Sequence, residues 1–108
     1  MRVYVYIDPS DLSAHLQNGL VLSKLHGAEP ESNDVYVTTK PVRSPAGDLV
    51  PLCIHLPRSV EPFVRRALTS DAGTGGRLPA TMLRAGQPSF QSDGGRWTKG
   101  RWYSTTPI

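Results

Sequence analysis

The clearest residues with chemical potential lie near the end of the sequence, where basic and aromatic side chains alternate. The motif Gly-Arg-Trp occurs at 95–97 and again at 100–102, with Thr98 and Lys99 between the copies. Arginine and lysine neutralise phosphates, and flat aromatic rings offer surfaces on which unstacked bases lie. The pattern favours binding to single-stranded nucleic acid or to an acidic protein surface. The candidate nucleic-acid-binding residues are Arg96, Trp97, Lys99, Arg101, Trp102 and Tyr103.

A second interpretation of the same segment is structural. The tryptophans would close the core of a small domain while the arginines face solvent, and on a strand the alternation would place the two kinds on opposite faces. We expect residues 85–108 to form a β-hairpin with its turn near Thr98–Gly100, or an extended arm.

Other kinds of chemistry have weaker support. The candidate metal ligands His15, His26, Cys53 and His55 lack the spacing of zinc sites, although Cys53 and His55 would share a face of a strand. We find no nucleophile elbow for triad chemistry and no reason to single out a pair of carboxylates. The glycine-rich segment 69–77 lacks the lysine and serine or threonine of a P-loop, so it predicts a flexible connection.

Length and charge limit the classes of protein to consider. The chain has 108 residues, which predicts a single domain, with a core in 1–84 followed by the basic aromatic tail. Residues 1–57 carry four basic and six acidic side chains, and residues 58–108 carry eight basic and three acidic ones. The second half therefore has a net charge of +5 and is the part expected to meet an anionic partner.

The sequence contains no long apolar run and no apolar segment behind a basic start. We therefore expect a cytoplasmic protein with no signal peptide, no transmembrane segment and no membrane partner. Cys53 is the single cysteine, so no internal disulfide can form, and its apolar surroundings predict a buried structural thiol.

The first 22 residues predict a strand followed by a capped helix. Val3, Val5 and Ile7 alternate with polar or aromatic residues, which is typical of a strand with one apolar face. Tyr4 and Tyr6 share its other face, which is covered by packing, the commoner case, or lines a groove. A helix is predicted from Pro9 to Asn18, because Asp8 can cap its start and Gly19 can end it in a left-handed conformation.

Later segments predict further short elements. The run 35–39 is β-branched and aromatic, and the apolar run 49–56 indicates a second strand that begins after Pro51 or lies at an edge. A short helix is predicted over 63–68, and 78–83 indicates a last strand or a turn of helix. These elements predict an α+β fold, with a small, mostly antiparallel sheet and one or two short helices.

Three segments also carry a resemblance. YIDPSDLSAHLQNGL, VYVTT and VPLCIHLPRSV, beginning at Tyr6, Val35 and Val50, occur in an order that resembles the ADP-ribosyltransferase-like superfamily. The similarity is to its tRNA phosphotransferase branch and to its rifampin- and thymidine-modifying branches. The resemblance implies a reduced form of that fold, NAD as the cofactor and no metal.

The resemblance also implies roles for particular residues. Tyr6 stands where the family has a histidine that holds a ribose of NAD, and Tyr36 is similar to the tyrosine that stacks on nicotinamide. Thr38 would bind the cofactor and Arg58 its pyrophosphate. No glutamate follows Glu61, so only Asp93 or Gln91 could take the place of the family's late glutamate at the ribose, and Asp93 is the candidate.

These features leave three predictions of function. The first is a diverged, toxin-like ADP-ribosyltransferase that modifies a nucleic acid or a protein. The second is a non-enzymatic basic binding module for single-stranded nucleic acid or an acidic protein, within an assembly such as a virion. The third is a small inhibitor that acts by occupying a partner's site. The sequence does not indicate which oligomeric state the protein adopts.

Overall fold

The computed structural model describes residues 1–25, 28–29, 33–40, 49–68, 75–91 and 96–102. They form an α+β fold in which an antiparallel sheet packs against short helices. The strands are β1 Arg2–Ile7, β2 Ala28–Glu29, β3 Asp34–Thr38, β4 Val50–His55, β5 Gly75–Pro79, β6 Gln87–Gln91 and β7 Trp97–Lys99. The helices are α1 Leu12–Asn18, α2 Glu61–Ala67 and α3 Ala80–Arg84. The predicted fold class is confirmed.

Six strands lie side by side in the order β7-β6-β4-β1-β3-β5, with every neighbouring pair antiparallel. The short strand β2 pairs with the start of β3, and Leu25 bridges to Ile7 at the end of β1. The segment that carries Leu25 and β2 therefore lies between the diverging ends of β1 and β3.

The first turn after β1 forms as the sequence predicts. A 3-10 turn at Pro9–Asp11 leads into α1, and the Asp8 carboxylate accepts a hydrogen bond of 2.9 Å from the backbone N–H of Ser10. Gly19 ends α1 with φ of 69°, the left-handed conformation that glycine adopts most readily. The Arg84 guanidinium donates to the carbonyls of Gly19 and Leu20, which satisfies acceptors left over at the helix end.

One face of the sheet carries the hydrophobic core. Val3, Val5 and Ile7 of β1 are at most 1% exposed, and the inward residues of β3, β4 and β5 are equally buried. Val64 of α2 and Leu83 of α3 belong to the same cluster, and the partly buried Leu12 of α1 packs against it. We call this side the helix face.

Two predictions about the later chain are corrected. The segment 69–77 was predicted to be a loop, but Gly75 and the next two residues form the start of β5. Gly76 permits this because a side chain there would run into the backbone at Ala67 and Leu68, at the end of α2. The predicted last element, 78–83, contains the end of β5 and most of α3.

The basic aromatic tail is also placed differently. Thr98 and Lys99 belong to β7, which pairs with β6, so they are not the turn of a hairpin between the two Gly-Arg-Trp copies. β6 in turn pairs with β4, which makes the described part of the tail the last two strands of the central sheet. Among the described residues, no helix is long and apolar enough to cross a membrane.

Candidate functional site

The second face of the sheet is built from the residues that alternate with the core. A single row crosses four neighbouring strands, because Tyr4 pairs with Cys53, Cys53 with Ser89, and Ser89 with Lys99. In the adjacent row Arg2 pairs with His55. Residues that pair across an antiparallel ladder point to the same side of the sheet. The row therefore gathers side chains that are distant in sequence, and we call this side the groove face.

A groove of about 300 Å³ lies on this face. The small side chains of Cys53 and Ser89 form its floor, between the larger side chains of Tyr4 and Lys99 in the same row. Trp97 is two residues before Lys99 and therefore lies on the same side of β7. The centre of its ring is 5.9 Å from the centre of the Tyr4 ring. The lining residues are Arg2, Tyr4, Cys53, His55, Ser89, Trp97 and Lys99.

The groove has an aromatic part and a cationic part. The Tyr4 and Trp97 rings meet at 56°, a tilted arrangement that leaves the Trp97 side chain 42% exposed. Arg2, His55 and Lys99 are exposed side chains of the same groove. Among the described residues that line the groove there is no carboxylate. The groove therefore suits a ligand that combines a flat ring with negative charge.

The titratable groups of the groove respond to burial and to the local positive charge. Burial raises the pKa of the Tyr4 phenol, and the neighbouring Cys53 thiol raises it further. Burial also raises the pKa of Cys53, although Tyr4, Arg2 and the N-terminal amine act in the opposite direction. Cys53 is thus a protonated thiol near neutral pH and a poor nucleophile. The prediction of a buried cysteine is confirmed.

His55 lies at the cationic end of the groove. Burial lowers its pKa, and the positive charges of Arg2, the N-terminal amine and Lys99 lower it further. The imidazole is therefore neutral near pH 7 and can both donate and accept hydrogen bonds.

The predicted nucleic-acid-binding residues fall into separate groups. Trp97 and Lys99 line the groove together, because residues two apart on β7 lie on the same side of the strand. Arg96 precedes β7 and Arg101 follows it in the sequence, and both are exposed. Trp102 packs against the hydrophobic core and donates its indole N–H to the Gly86 carbonyl at 2.9 Å, the structural role of the second interpretation. Tyr103 lies outside the described residues.

The residues implied by the family resemblance lie on several elements, and three of them share one face of the sheet. Tyr36 and Thr38 of β3 lie on the groove face, because Thr38 pairs with Tyr4, and alternation places Tyr6 there as well. Leu25, which bridges to β1, and β2, which pairs with β3, lie between the strand ends that carry Tyr6 and Tyr36. Arg58 follows the His55 end of β4, whereas Tyr6 pairs with Pro51 at the other end. Asp93 lies outside the described residues.

Several groove residues were not predicted to be functional. Arg2 and Ser89 carry only the signal of alternation within their own strands. Cys53 and His55 were predicted to share a strand face but only as weakly supported metal ligands, and a groove was the less common of the two predictions for the Tyr4 face. The described residues also bring together no group of three or more histidine, cysteine, aspartate or glutamate side chains that could hold a metal ion.

No protein-family model, no curated protein and no solved structure matches the chain.

Proposed function

We propose that the protein is a binding module that takes up single-stranded nucleic acid on the groove face of its sheet. The observation that carries the proposal is the groove itself, in which an exposed tryptophan lies beside three basic side chains with no carboxylate among the described lining residues. Bases of a single strand can stack on an exposed ring while basic groups follow the backbone, an arrangement that tolerates many sequences.

The shape of the surface favours a single strand over a duplex. The groove lies on the sheet face opposite the described helices, and its volume of about 300 Å³ suits one nucleotide at a time. A paired base cannot reach such a surface without being unstacked. The aromatic part of the groove also favours nucleic acid over an acidic protein surface, because a carboxylate partner makes little use of an exposed indole ring.

The test is titration of a fluorescein-labelled oligothymidylate at several salt concentrations. Trp97→Ala is expected to weaken binding by about 1–3 kcal/mol, the contribution of one stacked base. Lys99→Gln is expected to reduce the slope of log affinity against log salt by about 0.7, the value for one phosphate contact on a single strand. Arg66→Gln is the matched control, because it removes one positive charge from an exposed position of α2.

The competing outcomes are distinct. Absence of binding at low salt, or equal losses for Lys99→Gln and Arg66→Gln, would contradict a nucleic-acid site in the groove. Polyglutamate that competes as strongly as oligothymidylate, together with no effect of Trp97→Ala, would identify an acidic protein as the partner.

NAD-dependent ADP-ribosyl transfer is the second candidate function. The observation that favours it is that Tyr6, Tyr36 and Thr38 share one side of the sheet. The positive charge that develops at the ribose as nicotinamide leaves needs a fixed negative group nearby, for which Asp93 is the sequence candidate. Incubation with labelled NAD and with nucleic-acid and protein acceptors tests the proposal. Transfer that is lost in Asp93→Asn would support it, and an absence of both transfer and nicotinamide release would reject it.

A further inference from the structure

The cationic end of the groove has a specific geometry. Arg2 on β1 and His55 on β4 are direct cross-strand partners, and Lys99 on β7 lies in the next row. Neighbouring strands are about 4.8 Å apart, so β1 and β7 are separated by roughly 14 Å across the floor of small residues. An arginine and a lysine side chain that extend toward each other nearly close that distance. Both side chains line the groove whose floor contains Cys53 and Ser89.

The charges around this space are unbalanced. Arg2, the N-terminal amine and Lys99 all act on His55, which shows that three positive groups from two strands and the chain start lie within electrostatic reach of one imidazole. Tyr4 and Cys53, the other titratable groups of the groove, are uncharged near neutral pH. Glu61 lies near the N-terminal amine but is engaged by Arg65 at 2.7 Å. An anion placed beside His55 would relieve the repulsion among these groups.

We propose that Arg2, His55 and Lys99 form a binding site for a phosphate monoester, such as the terminal phosphate of a strand or of a free mononucleotide, whose base stacks on Trp97. This inference rests on the proposed function, since it assigns the phosphate and the base of one nucleotide to the two parts of the groove. A monoester carries about 1.5–2 negative charges near pH 7, against one for an internal phosphodiester, so it matches a site with several cations better. The Ser89 hydroxyl, on the floor, is a further hydrogen-bond donor.

The site also predicts coupling between anion binding and protonation. His55 is neutral in the free protein, and a bound dianion favours its charged form, so binding raises its pKa. The reciprocal effect is that affinity for an anion of constant charge rises as pH falls from about 8 toward 6, and His55→Gln removes this rise.

The first experiment compares thymidine 5′-monophosphate with thymidine, followed by Trp97 fluorescence and by the imidazole NMR signals of His55. We expect the monophosphate to bind at least about tenfold more tightly, since its charge-assisted hydrogen bonds are lost in the nucleoside. Arg2→Gln and Lys99→Gln should each reduce this ratio by about threefold or more, while Arg66→Gln leaves it unchanged. Equal affinities for the two compounds, or a His55 signal that does not move, would overturn the phosphate site.

The second experiment separates a strand end from a free nucleotide. Oligothymidylates with a 5′-phosphate, a 3′-phosphate or neither are compared at equal length. A preference for one phosphorylated end identifies the strand end as the ligand, and a preference for the mononucleotide over all three identifies the free nucleotide. Both results support the site, whereas equal binding of all four ligands would reject it. Inorganic sulfate, which stays a dianion across the pH range, serves for the His55 titration.

The two proposals fail in different ways. If oligonucleotides bind through Trp97 and neither a terminal phosphate nor the mononucleotide is preferred, the phosphate site is wrong and the proposed function stands. If sulfate and thymidine 5′-monophosphate shift His55 while unphosphorylated oligonucleotides do not bind, the phosphate site stands and the proposed function is wrong.

Discussion

The two faces of the central sheet use the same strands for different purposes. On β4, Ile54 points to the helix face and is fully buried, while His55 beside it points to the groove face and is exposed. On β1, Val3 and Val5 alternate in the same way with Arg2 and Tyr4. The helix face excludes water and fixes the backbone, so the exposed side chains of the groove face, such as His55 and Trp97, can contribute little to stability. Stability and binding should therefore respond to different substitutions.

The largest expected effect tests this separation on neighbouring residues. Ile54→Ala removes a fully buried side chain from the core and should lower the free energy of unfolding by about 2–5 kcal/mol. His55→Ala changes an exposed position and should alter the free energy of unfolding by no more than about 0.5 kcal/mol. Urea denaturation followed by circular dichroism measures both. Similar losses for the two variants would show that the groove face is also covered and stabilising.

A single added methyl group should show how closely the helix face is packed. In Gly76→Ala the new Cβ would overlap the carbonyl oxygen of Ala67, which is backbone and cannot rotate away. The expected cost is about 1–3 kcal/mol, in the range for an overpacked core. Gly100→Ala is the control, because its nearest neighbour is the side chain of Phe90 at 3.1 Å, which can adjust. A larger loss in the control would contradict the close approach of α2 to β5.

Sequence patterns were sufficient where the signal is local. The cap at Asp8, the glycine stop at Gly19 and the alternation of β1 each depend on residues within one element, and all three were predicted. The strand β5 was missed because Gly75 and Gly76 disfavour strands in isolation. Tertiary packing overrides that preference here, since only a residue without a side chain fits beneath the end of α2.

The groove could not be predicted because it depends on register. Tyr4, Cys53, Ser89 and Lys99 form one row only after three strand pairings are fixed, and none of those pairings can be read from composition or spacing. The tail motif did identify Trp97 and Lys99. The same motif also suggested Trp102, whose indole contributes to the core instead, so equal residue types at equal spacing met different surroundings.

Two of the three histidines, His15 and His55, extend the comparison to acidic conditions. His15 on α1 is fully buried, and its Nδ1 accepts a hydrogen bond of 3.0 Å from the N–H of Val21. Burial lowers the pKa of His15, an effect that Lys24 increases and Asp11 opposes. Protonation would place a hydrogen on the accepting nitrogen and a charge in the core. The unfolded chain therefore binds the proton more readily than the folded one.

The sign of the effect follows from the lowered pKa. The stabilisation from neutral His15 is complete above the ordinary histidine pKa of about 6.5 and decreases as pH falls from there to the folded-state pKa. The slope from one group cannot exceed about 1.4 kcal/mol per pH unit. His15→Asn, whose side-chain oxygen can accept from Val21, should flatten this slope in urea denaturation between pH 7 and 5. His55→Gln should leave most of the slope unchanged. A slope that flattens in His55→Gln and persists in His15→Asn would contradict its assignment to His15.

The smallest expected effect distinguishes the faces by their tryptophans. Trp102→Phe removes the hydrogen bond to the Gly86 carbonyl and should lower the free energy of unfolding by about 1 kcal/mol. Trp97→Phe keeps a ring over Tyr4 at an exposed position and should change stability by less than about 0.5 kcal/mol. Each variant contains one tryptophan, so its fluorescence reports one face.

Oligothymidylate should quench the variant that retains Trp97 and leave the variant that retains Trp102 nearly unchanged, because only the Trp97 ring lines the groove. Trp102→Phe is thus expected to be the less stable of the two variants and the more strongly quenched. Quenching of both tryptophans to the same extent would mean that the ligand reaches the edge of the core as well. The groove would then be only part of the binding surface.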